Sequence, residues 1–185
     1  MMNPRSVCCA VAVLSALSSL VDAQDRRGPF THAPRSVRTR DIDQQHIRLD
    51  LRFDWEKQQA DGRATITLTP FKTTKEITLD AADMKITRVT REGTVLKHET
   101  KPQQLIIQLD REARVGEAVT LVVDYVVTKP KHGLHFVLPD ESEKNQPRMV
   151  WTQSEPEFAH YWFPCIDSPT DRLTSETIAT APKEY

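Results

Sequence analysis

The amino-acid sequence predicts an all-β fold, an antiparallel sandwich or saddle, and three observations lead to this prediction. Short apolar runs alternate residue by residue with polar positions, which is the period of a half-buried strand. Turn-forming residues separate these runs at close intervals, as in antiparallel sandwiches. No segment shows a helical period longer than two turns, and no repeat exists beyond the strand alternation. At 185 residues, the chain is long enough for one domain with a hydrophobic core.

The first two predicted strands form a hairpin. The segment HIRLDLRFDW (46–55) places five apolar side chains on one face, namely Ile47, Leu49, Leu51, Phe53 and Trp55. The segment GRATITLTPF (62–71) repeats the pattern, with Ala64, Ile66 and Leu68 inward and threonines outward. We expect the connecting turn around residues 60–62, Ala-Asp-Gly, because an Asp-Gly pair favours tight hairpin turns.

Five further predicted strands follow, each ended by turn residues. They are EITLDA (76–81), KITRVT (85–90), TVLKHE (94–99), QQLIIQLD (103–110) and EAVTLVVDYVV (117–127). In the last of these, every second residue from Val119 to Val127 shares one face. Residues 128–148 are predicted to be a long polar connection with a short apolar centre at 134–138, and long loops of this kind are typically functional or disordered.

Three regions are predicted along the chain. Residues 1–23 have the layout of a secretory signal peptide, with Arg5 before an uncharged run (7–21) and cleavage expected after Ala23. That run is shorter than the roughly 20 apolar residues of a bilayer crossing, so we expect no stable membrane span. Residues 24–40, rich in arginine, are interpreted as a flexible basic leader. Residues 41–185 form the folded domain, which is expected to be secreted or periplasmic.

Charge and cysteine content limit the partners and the covalent structure. The formal net charge is −1, from 25 basic and 26 acidic residues, so no nucleic-acid partner is expected. Removal of the signal peptide would also remove Cys8 and Cys9, so that the mature chain keeps Cys165 alone. We interpret Cys165 as a buried core residue rather than a nucleophile.

No complete active site exists in this sequence. It contains no His-Glu-x-x-His, no glycine-rich phosphate loop and no Gly-x-Ser-x-Gly turn. His132 and His135 are three residues apart but have no acid or thiolate at metal-ligand spacing, which favours ordinary loop histidines over a metal site. We therefore assign no catalytic residue and no metal ligand to this chain.

The stretch from Val150 to Glu176 differs from the alternating strands before it. Glu155 and Glu157 stand among prolines and five aromatic residues, namely Trp151, Phe158, Tyr161, Trp162 and Phe163. Carboxylates beside aromatic rings are typical of a pocket that receives a cation. The alternative is a surface loop whose aromatic side chains pack over the edge of the sandwich.

This stretch resembles the signature that closes the N-terminal β-domain of M1-family (aminopeptidase N-like) zinc metallopeptidases. The matching positions are Gln153, Glu155, Ala159, Phe163, Pro164, Cys165, Asp167 and Pro169, and residues 41–70 are also similar to the opening hairpin of that domain. The resemblance implies that Gln153 and Glu155 bind the free α-ammonium group of a peptide substrate. Glu157 falls outside the motif and is interpreted as a rim charge. Many members have arginine where this chain has His160, which weakens the expectation of an ion pair there.

The same resemblance implies a larger enzyme than this chain. Zinc, its two histidine and one glutamate ligands, the glutamate base, a Gly-x-Met-Glu-Asn loop and a tyrosine would all lie in a downstream catalytic domain after Tyr185. We expect the chain to be a fragment of a secreted aminopeptidase that binds peptide N-termini, without hydrolysis by itself. The alternative is a stand-alone secreted β-sandwich module that binds peptides or proteins.

Overall fold

The alternating pattern at the start of the domain builds the two longest strands of the fold. The computed structural model describes residues 39–181. Strand β1 (Ile42–Asp54) pairs antiparallel with β2 (Gln59–Pro70), which confirms the predicted hairpin. The predicted inward side chains are buried, apart from the half-buried Phe53. Because the alternation is set locally by the strand period, the sequence was sufficient to place these faces.

The predicted position of the first turn is wrong. The chain reverses at residues 55–58, where the amide of Gln58 donates to the carbonyl oxygen of Trp55 at 3.2 Å and Gln58 has φ of 50°. Gly62 instead lies inside β2 and pairs with Tyr125. Its small size serves the packing of that ring rather than a turn.

Six strands form the large sheet, in the order β11-β1-β2-β8-β4-β5. Its remaining members are β4 (Met84–Arg91), β5 (Thr94–Val95), β8 (Val119–Thr128) and β11 (Thr174–Thr180). All neighbouring pairs are antiparallel except β11, which runs parallel to β1. A parallel partner requires a long connection, which the intervening strands supply.

A three-stranded antiparallel sheet, in the order β3-β7-β6, forms the second layer. Its strands are β3 (Thr74–Asp80), β6 (Lys97–Lys101) and β7 (Gln104–Ala113). The predicted strand 94–99 is therefore two strands that belong to different sheets. The break is at Leu96, which is 4% exposed and donates its amide to the carbonyl of Val89 at 2.9 Å.

The inward faces of these two sheets share one hydrophobic core. The large sheet contributes alternate residues of β1, β2, β4 and β8, and the small sheet contributes Ile77, Leu79, Leu105, Ile107 and Leu109. Each fully buried aliphatic side chain stabilises the fold by about 1.5–3 kcal/mol relative to exposure. The sandwich predicted from the sequence is confirmed.

The predicted connection 128–148 contains a strand. Residues Gly133–Val137 form β9, which pairs antiparallel with β10 (Met149–Gln153) in a separate two-stranded sheet. Leu134 is fully buried, and Phe136 and Val150 pack against the core on the same face of this hairpin. The apolar centre noted in the sequence is thus a strand that attaches the hairpin to the sandwich.

The two ends of the described region differ in their contacts. Arg40, assigned to the leader by the sequence, forms an ion pair with Asp171, whose side chain is 1% exposed. Burial raises the pKa of the Asp171 carboxyl. Every residue of β11 is exposed, including Ile178.

No helix within residues 39–181 is long and apolar enough to cross a membrane.

Candidate functional site

The two predicted substrate-binding residues lie where the β9–β10 hairpin ends. Gln153 is the last residue of β10, and Glu155 follows two positions later in a turn; both are exposed. The backbone amide of Glu155 donates to Oε1 of Gln153 at 3.1 Å. The side chain of Gln153 therefore fixes the backbone of Glu155, while the Glu155 carboxylate remains open to solvent.

Ser154, the residue between Gln153 and Glu155, is held by two hydrogen bonds. Ser154 is half-buried, and its Oγ accepts a hydrogen bond from Nε1 of Trp162 at 3.0 Å. Its carbonyl oxygen accepts a second bond from the amide of Phe158 at 2.8 Å. The bond from Phe158 closes the loop 154–158, and the bond from Trp162 attaches Ser154 to the segment that follows this loop.

A glycine allows the loop to pack against the hairpin. Gly133, the ladder partner of Gln153, has φ of +77°. A Cβ at this position would lie 2.3 Å from the carbonyl oxygen of Phe158 and 2.5 Å from Cδ1 of Trp162. Only glycine accommodates both the backbone angle and the contact.

A second set of hydrogen bonds joins the signature to β3. Nδ1 of His160 lies 2.6 Å from Oδ2 of Asp167, which also accepts from the His160 amide at 3.1 Å. The Asp167 amide donates to Oδ2 of Asp80 at 2.9 Å. Asp80 and Cys165 exchange two backbone hydrogen bonds of 2.7 and 3.1 Å. The His160 side chain therefore has a hydrogen-bond partner in Asp167 at the position where many members have arginine.

The remaining signature residues have the structural roles predicted for them. Cys165 is 3% exposed, as expected of a core residue. Asp167 accepts hydrogen bonds from a nearby amide and side chain, as expected of a turn residue. Pro164 is buried and Pro169 is exposed at the turn that follows.

The aromatic residues of the stretch do not converge on one pocket. The Trp151 ring stacks on His135 across the hairpin, with centroids 4.2 Å apart and an interplanar angle of 20°. Phe158 and Tyr161 both contact His132, at 5.1 and 4.8 Å. Trp162 is buried and packs edge-on against Phe163. These rings pack against neighbouring side chains, as the surface-loop alternative predicts, and the binding of a cation by this stretch stays a prediction.

The histidines of the hairpin have aromatic partners. His132 and His135, weighed above as a metal site, are each stacked on a ring as just described. Among residues 39–181, no group of three or more His, Cys, Asp or Glu side chains is arranged to hold a metal ion. The zinc that the resemblance implies was assigned to residues after Tyr185, which lie outside the described residues.

Several residues that organise this region gave no signal in the sequence. Gln44 is fully buried and accepts the amide of Ile166 through Oε1 at 2.8 Å. With Cys165 and Asp171 it lines an open pocket of about 590 Å³. Asp80 and Ser154 are also ordinary polar residues in the sequence. Their roles depend on partners distant along the chain, which periodicity does not reveal.

Fold and loop together define an all-β domain that carries an exposed carboxylate on a fixed turn. The profile of the Peptidase M1 N-terminal domain family matches residues 43–185. The chain therefore belongs to this family, as its signature indicated.

Individual relatives agree with this assignment. Leucine aminopeptidase 2-2 of Meyerozyma guilliermondii is 26% identical over 127 residues, which cover 65% of this chain and 20% of that protein. Transcription initiation factor TFIID subunit 2 of Drosophila melanogaster is 29% identical over 79 residues, 38% of this chain and 6% of that protein. The M1 zinc metallopeptidase of Deinococcus radiodurans superposes with a TM-score of 0.65 at 25% identity, covering 77% of this chain and 33% of that one. The chain thus spans a third or less of the length of these relatives.

Proposed function

We propose that this chain is the N-terminal domain of a secreted M1 zinc aminopeptidase and that Glu155 holds the free α-ammonium group of the peptide substrate. The observation that carries the proposal is the exposed Glu155 carboxylate on a turn whose backbone is held by Gln153. A carboxylate on a turn with a fixed backbone is suited to an ammonium group, because a charge-assisted hydrogen bond gains from preorganisation.

Gln153 and Glu155 have different roles in this proposal. The ammonium group only donates hydrogen bonds, so it needs acceptors. Glu155 offers a carboxylate, whereas Oε1 of Gln153 already accepts the Glu155 amide at 3.1 Å and has one further lone pair. Glu155 is therefore the main anchor, and Gln153 both fixes it and supplies one additional acceptor.

Hydrolysis requires residues outside the described region. Zinc would polarise the scissile carbonyl and activate water in such an enzyme. Because residues 39–181 offer no cluster of metal ligands, the proposal assigns zinc to a downstream catalytic domain.

The first experiment is to read the gene beyond the codon for Tyr185 and to measure the intact mass of the natural protein. The proposal expects an open frame with His-Glu-x-x-His and Gly-x-Met-Glu-Asn motifs. A stop codon after Tyr185, with the matching mass, would refute the enzyme and leave the stand-alone binding module.

The second experiment compares two neighbouring carboxylates in the full-length natural protein. Glu155→Gln is expected to lower kcat/KM on amino-acid p-nitroanilides roughly 10- to 100-fold, because a hydrogen bond to a charged group contributes about 1.5–3 kcal/mol. Glu157→Gln is the matched control, since Glu157 is also exposed on the same turn but lies outside the motif. Equal effects of the two substitutions would contradict the assignment of Glu155.

A further inference from the structure

We infer that Ser154 and Trp162 are positioning residues for the amine anchor, an inference that rests on the function proposed above. Neither residue belongs to the signature that pointed to Gln153 and Glu155. Their side chains meet on the protein side of the turn, where Nε1 of Trp162 donates to Oγ of Ser154 at 3.0 Å. They act on substrate only through the backbone between the two anchoring residues.

The backbone at Ser154 determines the position of the Glu155 carboxylate. This residue joins Gln153 to Glu155, so any rotation of its peptide units moves the Glu155 carboxylate. The Trp162 bond fixes the side chain of Ser154, and the Phe158 amide fixes its carbonyl oxygen at 2.8 Å. Gln153 fixes the Glu155 amide. The turn is held on both sides of the anchor.

Trp162 is itself held by the hydrophobic core. Its side chain is 7% exposed and belongs to the hydrophobic core. The indole lies so close to Gly133 that a Cβ there would be 2.5 Å from Cδ1. Gly133 is in turn the ladder partner of Gln153. Trp162 therefore connects the core, the start of β9 and the anchor turn.

The Trp162 indole and the Ser154 hydroxyl are chemically matched as donor and acceptor. An indole Nε1–H is a donor only, so its partner must be an acceptor, and the serine hydroxyl supplies one. Ser154→Ala would leave the Trp162 donor without its partner and remove one of the three hydrogen bonds that hold the turn. In positioned reactions, a displacement of about 1 Å can reduce the rate about 100-fold. We therefore expect a loss in recognition of the amine that exceeds the loss in folding stability.

The test measures amine recognition directly in the full-length natural protein. Inhibition constants are determined for N-acetyl-L-leucine amide and for L-leucine amide, and the constant of the acetylated amide divided by that of the free amine isolates the contribution of the free ammonium group. Ser154→Ala and Trp162→Phe are each expected to reduce this ratio about tenfold, because the carboxylate is displaced. Ser154→Thr, which keeps the hydroxyl acceptor, is expected to restore it.

Controls separate positioning from general stability. Ser168→Ala removes a hydroxyl that lies 3.0 Å from Oγ1 of Thr170, in the same signature stretch but outside the anchor turn. It is expected to leave the ratio within about twofold of the wild-type value. Thermal unfolding of every variant is recorded. If either Ser154→Ala or Trp162→Phe fails to fold, the other of these two variants is used for the comparison.

The outcomes distinguish this inference from the proposed function. If Glu155→Gln reduces the ratio and Ser154→Ala and Trp162→Phe leave it unchanged, the positioning role is refuted and the anchor stands. If Glu155→Gln itself leaves the ratio unchanged, both proposals fail. A reduced ratio in Ser154→Ala that Ser154→Thr restores supports positioning through the hydroxyl.

Discussion

Gly62 and Tyr125 show how one missing side chain shapes the core. They are ladder partners on β2 and β8, and Tyr125 is 2% exposed. A Cβ at position 62 would lie 2.2 Å from Cζ of Tyr125 and 2.5 Å from its hydroxyl. Burial raises the pKa of the Tyr125 hydroxyl well above its usual range. The glycine leaves room for a ring that covers the strand in its place.

Gly62→Ala is therefore expected to destabilise the domain by about 1–3 kcal/mol, the usual cost of overpacking a close-packed core. Urea unfolding of the purified domain measures the change. Thr65→Ala, on the opposite face of the same strand, is the control and is expected to stay within about 0.5 kcal/mol of wild type. If the Gly62→Ala variant is as stable as the wild type, the Tyr125 ring moves aside without a cost in free energy, which would contradict this account.

Arg91 and Glu117 form the best-connected charged pair in the described region. The Arg91 side chain is 2% exposed, and its guanidinium lies 3.0 Å from Oε1 of Glu117. Glu117 also accepts from the backbone amide of Arg114 at 3.0 Å and from Arg111 at 2.5 Å. These bonds lower the pKa of Glu117 to about 2. The carboxylate compensates a buried cation, so its protonation destabilises the fold.

The sign of the pH effect follows from that lowered pKa. A carboxyl whose pKa is lower in the folded state contributes stability above its unfolded pKa of about 4.5, and this contribution is lost as pH falls toward about 2. Glu117→Gln is expected to unfold at lower urea concentration than wild type at pH 7, with the difference narrowing below pH ~4.5. Glu112→Gln, an exposed neighbour, serves as control. A difference that stays constant from pH 7 to pH 2 would contradict this account.

At the scale of elements, the hairpin β9–β10 determines where the anchor turn lies. One face of the hairpin packs on the core through Leu134, Phe136 and Val150. The other face carries the stacked pair His135 and Trp151, with Trp151 48% exposed. Because one face is buried, a slip by one residue would expose it, so the register is well specified. The end of β10, and with it Gln153, is fixed as a result.

Substitution of two glycines with similar backbone angles, Gly133 and Gly116, tests the contact between the β9–β10 hairpin and the anchor turn. Gly133 and Gly116 have φ of +77° and +73°, but only Gly133 has close neighbours, since nothing lies within 4 Å of a Cβ at Gly116. Gly116→Ala is expected to cost about 1–2 kcal/mol from backbone strain alone. Gly133→Ala is expected to cost about 1–3 kcal/mol more, from overpacking against Phe158 and Trp162. Thermal unfolding measures both, and equal costs would mean that the turn yields freely.

For the whole molecule, export stays a prediction made from sequence. Residues 1–23, which carry the predicted signal peptide, lie outside the described residues, as does most of the predicted leader 24–40. Within the described residues, Arg40 forms an ion pair with Asp171, near the other end of the domain. Cleavage after Ala23 would leave this ion pair intact, because Ala23 lies 17 residues before Arg40.

Expression of the whole chain in a host with a secretory pathway is expected to yield a mature protein that starts at Gln24. A small residue before the cleavage site is required by signal peptidases, so Ala23→Arg is expected to prevent processing. N-terminal sequencing and intact mass of the exported and retained fractions provide the measurement. An exported protein that keeps Met1 would refute the assigned cleavage site.

Sequence was sufficient for features that depend on neighbouring residues. The inward faces of β1, β2 and β8 follow from a period of two, and the buried Cys165 and the turn-forming Asp167 follow from residue type and motif. The M1 signature was readable for the same reason, because its residues lie within 17 positions, from Gln153 to Pro169. Gln153 and Glu155 are exposed on a turn, and their role in amine binding stays a prediction.

Other features required the folded chain. The turn at residues 55–58, the change of sheet at Leu96 and the parallel pairing of β11 with β1 were not apparent in the sequence. The same holds for the position of Trp162 behind Ser154 and against Gly133. Each depends on contacts between residues far apart in the chain or on the space left by a neighbouring strand. Local alternation determines which side chains face inward, whereas packing between distant segments determines where the chain turns and what supports the anchor turn.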